Sequence, residues 1–78
     1  MKTVSFDVSH EATFGSTYRI IQDHRGLLKE YHLIGPAGGN HSFTVTFPPF
    51  AAEPALREIY GIPATEPTTD YVAYLLEG

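Results

Sequence analysis

The sequence predicts an α+β fold: a four- to five-stranded, mainly antiparallel sheet with one short helix packed on one face. Three observations lead there. Two segments alternate apolar and polar residues with the period of a half-buried strand. One segment repeats apolar residues at helical spacing, between a proline and a glycine. Gly- and Pro-rich breakers separate what remains. With 78 residues the chain makes one domain, residues 1–78, with a thin core, because chains of this size bury only about 60–65% of their unfolded surface.

The elements follow in chain order. In residues 3–8, TVSFDV, Val4, Phe6 and Val8 point one way and Thr3, Ser5 and Asp7 the other, which is a half-buried strand. Residues 9–15 break the pattern and end at Gly15. Residues 16–23, STYRIIQD, and 27–34, LLKEYHLI, read as a hairpin turning at His24-Arg25-Gly26, with Gly26 in the left-handed conformation. Their alternation is imperfect: Ile20-Ile21 and Leu27-Leu28 place apolar groups on both faces. The run Gly35-Pro36-Ala37-Gly38-Gly39-Asn40 is a strong breaker. Residues 42–47, SFTVTF, alternate again, and Pro48-Pro49 ends them because neither donates to a ladder.

Residues 51–60, AAEPALREIY, are the helix. Pro54 fits a first turn, Ala52, Leu56, Ile59 and Tyr60 form the buried stripe, and Gly61 supplies the cap. Residues 62–69 read as an extended linker. Residues 71–76, YVAYLL, apolar on both faces, read as a last strand. The expected core is Phe6, Phe43, Val45, Phe47, Leu56 and Ile59. The helix covers one face of the sheet, so the other face is the expected working surface.

Composition excludes several function classes. The chain is 42% hydrophobic and 13% aromatic, too apolar for disorder. It has no cysteine, so neither a disulfide nor a thiolate is available. No segment approaches the roughly 20 apolar residues of a membrane span, and Asp7 and Glu11 interrupt the position of a signal peptide, so a cytoplasmic protein is expected. Net charge is −4 and falls wholly after residue 33, where Arg57 alone faces Glu53, Glu58, Glu66, Asp70 and Glu77. A direct nucleic-acid binder needs a basic footprint, which is missing; a basic protein surface is the natural electrostatic partner.

Reactive constellations are equally sparse. His10, His24, His32 and His41 lack the spacing of a zinc site, so no metal and no cofactor is expected. The glycine-rich run leads toward a strand rather than a helix N-terminus, and no Gly-Lys-Ser/Thr follows it, so it is no phosphate loop. Ser9-His10-Glu11 holds triad residue types, but neighbours in an extended loop point apart. What is left is a surface. Five tyrosines exceed what one thin core can use, and Tyr with Arg is favoured as an interface anchor. The expected partner-binding residues are Tyr18, Arg19 and Tyr31, with Glu66 and Asp70 as acidic contacts.

A short, acidic, Cys-free chain without an enzymatic motif resembles, in general type, the small phage-encoded anti-CRISPR proteins. The resemblance lies in overall character and carries over no residue. It implies a non-enzymatic inhibitor or adaptor that occupies a functional surface of a CRISPR effector complex, often its basic nucleic-acid channel. The alternative is a small structural or regulatory protein acting as a homodimer through an exposed sheet edge or face.

Overall fold

The computed structural model describes residues 1–9, 11–34 and 39–77, apart from the side chain of Ile34. The element order is β1 (Lys2–Val8), α1 (Phe14–Asp23), β2 (Leu27–Ile34), β3 (Asn40–Phe47), α2 (Ala52–Ile59) and α3 (Asp70–Glu77). The three strands form one antiparallel sheet in the order β1-β3-β2. This corrects the expected four- to five-stranded sheet with one helix: residues 16–23 lie in α1 and residues 71–76 in α3. Strands β1, β2 and β3 and helix α2 stand where the sequence places them.

Both misread segments are helical for local reasons. Phe14, Thr17, Tyr18 and Ile21 fall at i, i+3, i+4 and i+7, one face of a helix. Thr13 caps that helix by accepting the Ser16 N–H at 3.1 Å, while the Ser16 hydroxyl donates back to the Thr13 carbonyl at 3.0 Å. In α3, the Thr69 carbonyl takes the Ala73 N–H at 2.9 Å, and Val72, Leu75 and Leu76 form the inward stripe. Tyr71 and Tyr74 point outward, so a segment that looks apolar on both faces as a strand is amphipathic as a helix.

A bulge explains the irregular alternation of β2. Leu28 pairs with Val45 and Tyr31 with Phe43, with a register shift between Leu28 and Glu30. The extra residue returns Tyr31 and Leu33 to the face that carries Leu28.

The helices lie on one side of the sheet, α1 against β2, α3 against β1, and α2 between the other two. One core joins Val4, Phe6 and Val8 of β1, Phe43, Val45 and Phe47 of β3, Ile21 of α1, Ala52, Ala55 and Leu56 of α2, and Val72 of α3. Of the expected core, only Ile59 sits at its margin, partly buried. The opposite face is hydroxyl-lined: Thr3 meets Thr46 at 2.8 Å and Ser5 meets Thr44 at 3.0 Å across the β1–β3 ladder.

The turn into β2 also differs from expectation. Arg25, not Gly26, holds the left-handed backbone, at φ 61°. Gly26 is there for space: a Cβ on it would lie 2.7 Å from Phe47 and 2.8 Å from both Ile21 and Val45. Among the described residues no helix is long and apolar enough to cross a membrane.

Candidate functional site

Chain direction gathers the C-terminal ends of β1 and β2, the start of β3 and the starts of α1 and α3 at one end of the layers. An aromatic cluster forms there. Phe14, the first residue of α1, is its hub. It lies parallel to Tyr18 at 5.4 Å and to Phe43 at 5.7 Å, and edge-on to Tyr31 at 4.7 Å. Phe43 is buried, so the cluster rests on the core; Phe14 is 36% exposed and Leu33, on the same face of β2, is 56% exposed. Tyr31 bonds through its hydroxyl to His41 Nδ1 at 2.5 Å, which fixes its ring.

The cluster is pre-organised by its supports. The cap at Thr13 sets the first turn of α1 and so the direction of Phe14. The bulge before Glu30 sets which side Tyr31 faces. Rings locked in this way lose little freedom on binding, which is why aromatic anchors are efficient.

Beyond Phe6, the aromatic series continues along α2 and α3. Tyr60 meets Phe6 edge-on at 6.4 Å and Tyr71 edge-on at 5.5 Å. Its hydroxyl donates to the Asp7 carbonyl at 2.6 Å. Burial pushes the Tyr60 hydroxyl well above the ordinary tyrosine range; the hydrogen bond and charge of Tyr71 and the charge of Asp7 act the same way. Tyr60 therefore stays protonated and remains a donor.

Past Tyr60 the linker forms a shallow groove of about 590 Å³ lined by Tyr60, Pro63, Glu66, Thr68 and Asp70, among others. Arg57 shapes it: its guanidinium donates to Thr68 Oγ1 at 2.9 Å, to the Pro63 carbonyl at 2.8 Å and to the Glu66 carbonyl at 2.5 Å. Thr68 in turn donates to Glu53 at 2.6 Å. The one cation of the C-terminal half is thus committed to linker backbone and Thr68, while the carboxylates of Glu66 and Asp70 stay on exposed residues.

The structure sorts the five predicted contacts. Tyr18 and Tyr31 come together through Phe14. Glu66 and Asp70 line one groove. Arg19 is exposed on α1, and among the described residues no hydrogen bond or ring contact ties it to either group. None of the five lies on the open face of the sheet. That location is corrected: with 16–23 helical and β2 bulged, Tyr18, Arg19 and Tyr31 belong to the helix side. Phe14 and Leu33 are not singled out by the sequence patterns, and His41, weighed there only as a metal ligand, enters through its bond to Tyr31. The helical spacing from Phe14 to Ile21 was the signal for the first.

The histidines have local partners. His24 Nε2 lies 3.0 Å from Glu58 and His32 Nε2 3.4 Å from Glu30. Among the described residues no three His, Asp or Glu side chains converge on one point. His10 and residues 35–38, which hold most of the glycine-rich run, lie outside the described residues. No protein-family model, no curated protein and no solved structure matches this chain.

Proposed function

We propose that this protein is a non-enzymatic binding module that acts by occupying a basic surface of a protein partner. The observation that carries the reading is the Phe14–Tyr18–Tyr31 cluster: three rings in mutual contact, with Phe14 and Tyr31 resting on buried Phe43, Phe14 exposed, and Tyr18 and Tyr31 half-buried beside it. Such rigid aromatic groups are the preferred centres of protein interfaces. Glu66 and Asp70 give the same end of the molecule a negative field that steers it toward positive charge. The narrower form of the proposal keeps the anti-CRISPR resemblance: a cytoplasmic inhibitor whose partner is a CRISPR effector subunit, blocked at a basic nucleic-acid channel.

Binding kinetics test this with the partner captured by pull-down from host cells. Tyr31→Ala should speed dissociation at least tenfold with little change in association. Glu66→Lys with Asp70→Lys should slow association at low salt and flatten its salt dependence. Unchanged dissociation for Tyr31→Ala would remove the aromatic cluster from the interface, and unchanged association for the double reversal would remove the steering.

A further inference from the structure

A second surface lies on the far side of the sheet from the aromatic cluster. Among the described residues β1 pairs only with β3, which leaves its outer side a free edge. The Tyr60 hydroxyl reaches the Asp7 carbonyl from outside the ladder, so that carbonyl points off the edge. Alternate residues of a strand share that direction, which turns the backbone N–H and C=O groups of Ser5 and Thr3 outward as well. Among the described residues, no backbone hydrogen bond reaches them from the α3 side.

Helix α3 runs beside this edge and makes it a groove. Thr3, Val4, Ser5, Tyr74, Leu75 and Glu77 line a hollow of about 460 Å³. Tyr74 is 70% exposed there. Past Lys2 the hollow adjoins a second one between Leu76 and Phe50. Phe50 is 97% exposed and holds a left-handed backbone at φ 69°, a costly conformation for a residue that buries nothing in its own fold.

We propose that an extended peptide of a partner protein adds to the sheet as a fourth strand along β1, over α3, with a Lys or Arg facing Glu77. Main-chain bonds to Thr3 and Ser5 supply affinity, and alternate side chains seat against Tyr74 and Leu75. Charge selects this occupant over a second copy of the chain. Among the described residues Glu77 is the only ionised side chain lining the hollow, and two-fold pairing of β1 with β1 would bring two such carboxylates toward one shared edge. This surface does not depend on the aromatic cluster, and either can fail alone.

The probe is an oriented library of nine-residue synthetic peptides, with Lys, Glu or Ala fixed in turn at each position, read by fluorescence anisotropy. The wild-type protein should select peptides with Lys at one position and β-branched residues alternating beside it. Glu77→Lys should reverse that preference to Glu. Ser5→Pro removes an outward backbone donor and, toward β3, only the exposed hydroxyl contact with Thr44, so it should weaken the selected peptides at least tenfold while the melting temperature falls by no more than in Ser5→Ala, which keeps the donor. Tyr31→Ala should leave their binding unchanged. If Ser5→Pro fails to fold, Tyr74→Ala and Glu77→Lys decide the matter through affinity and charge preference. The proposal is overturned if no peptide is selected, if selection is indifferent to Glu77→Lys, or if sedimentation shows a wild-type dimer that Glu77→Lys leaves intact and the peptides do not dissociate.

Discussion

Helices α1 and α2 end in the same way and serve different purposes. Each closes with a paired cap: Arg25 N–H to the Gln22 carbonyl and Gly26 N–H to Ile21 after α1, Gly61 N–H to Glu58 and Ile62 N–H to Arg57 after α2. Each places one residue in the left-handed region, Arg25 at φ 61° and Gly61 at φ 68°. Helix α2 buries Ala52, Ala55 and Leu56 outright and anchors the linker through Arg57. Helix α1 buries only Thr17 and Ile21 and carries Phe14 and Tyr18 at the surface. One helix makes the core; the other displays the rings. A fold this small keeps few residues for each task, so the division should be visible in mutational effects.

The largest difference is expected in stability. Leu56→Ala should cost about 2–5 kcal/mol, a large share of the total stability of such a domain. Tyr18→Ala, on the half-exposed flank of α1, should cost well under half as much. Denaturant titration of both variants gives the ratio, and equal costs would mean that α1 is as much a part of the core as α2.

Gly26→Ala comes next. The new methyl would stand under 3.0 Å from Phe47, Ile21 and Val45, all core side chains. Overpacking of this kind costs about 1–3 kcal/mol. A wild-type melting temperature for this variant would show that β2 does not approach the core as closely as described.

Tyr60 links the end of α2 to β1 and gives a pH signature. Its folded pKa is raised, so the neutral form is favoured by folding. That contribution is complete below the unfolded value near 10 and is lost as pH rises above it. Tyr60→Phe should cost about 0.5–1.5 kcal/mol at neutral pH and flatten the fall in stability above pH ~10. Melting curves at neutral and alkaline pH check this; an unchanged alkaline slope would contradict the buried hydroxyl.

The smallest effect sharpens the comparison of caps. Arg25→Gly relieves a left-handed arginine, offset by a looser unfolded chain, and should gain about 0.5 kcal/mol. Gly61→Ala should lose about 1 kcal/mol at the equivalent position. Opposite shifts in melting temperature are expected; shifts of the same sign would mean that the two ends are not equivalent.

How much of this was legible in the sequence differs between the same two helices. In α2, the cap is glycine, a proline sits in the first turn, and the apolar stripe is aliphatic, so each local signal agrees. In α1, the cap position holds Arg25, Gly15 sits in the first turn, and Thr17, Tyr18, Ile20 and Ile21 are strand-favouring types. The helical spacing from Phe14 to Ile21 was present but outweighed. Helix α3 failed for a related reason: Tyr71 and Tyr74 are exposed, and an exposed tyrosine reads as apolar on either period. The site was legible in part. Tyr18 and Tyr31 followed from an excess of tyrosines over core capacity, but their meeting depends on Phe14 at a helix start and on the β2 bulge, and neither follows from alternation alone.

The most direct test of the aromatic cluster as the working surface is site-specific photocrosslinking in host cells. A benzophenone side chain at Phe14 should capture a single protein partner, and Tyr31→Ala in the same chain should abolish that capture. The same group at Thr44, on the hydroxyl-lined face, should capture none. Capture from Thr44 but not from Phe14 would place the working surface on the open sheet and contradict the account.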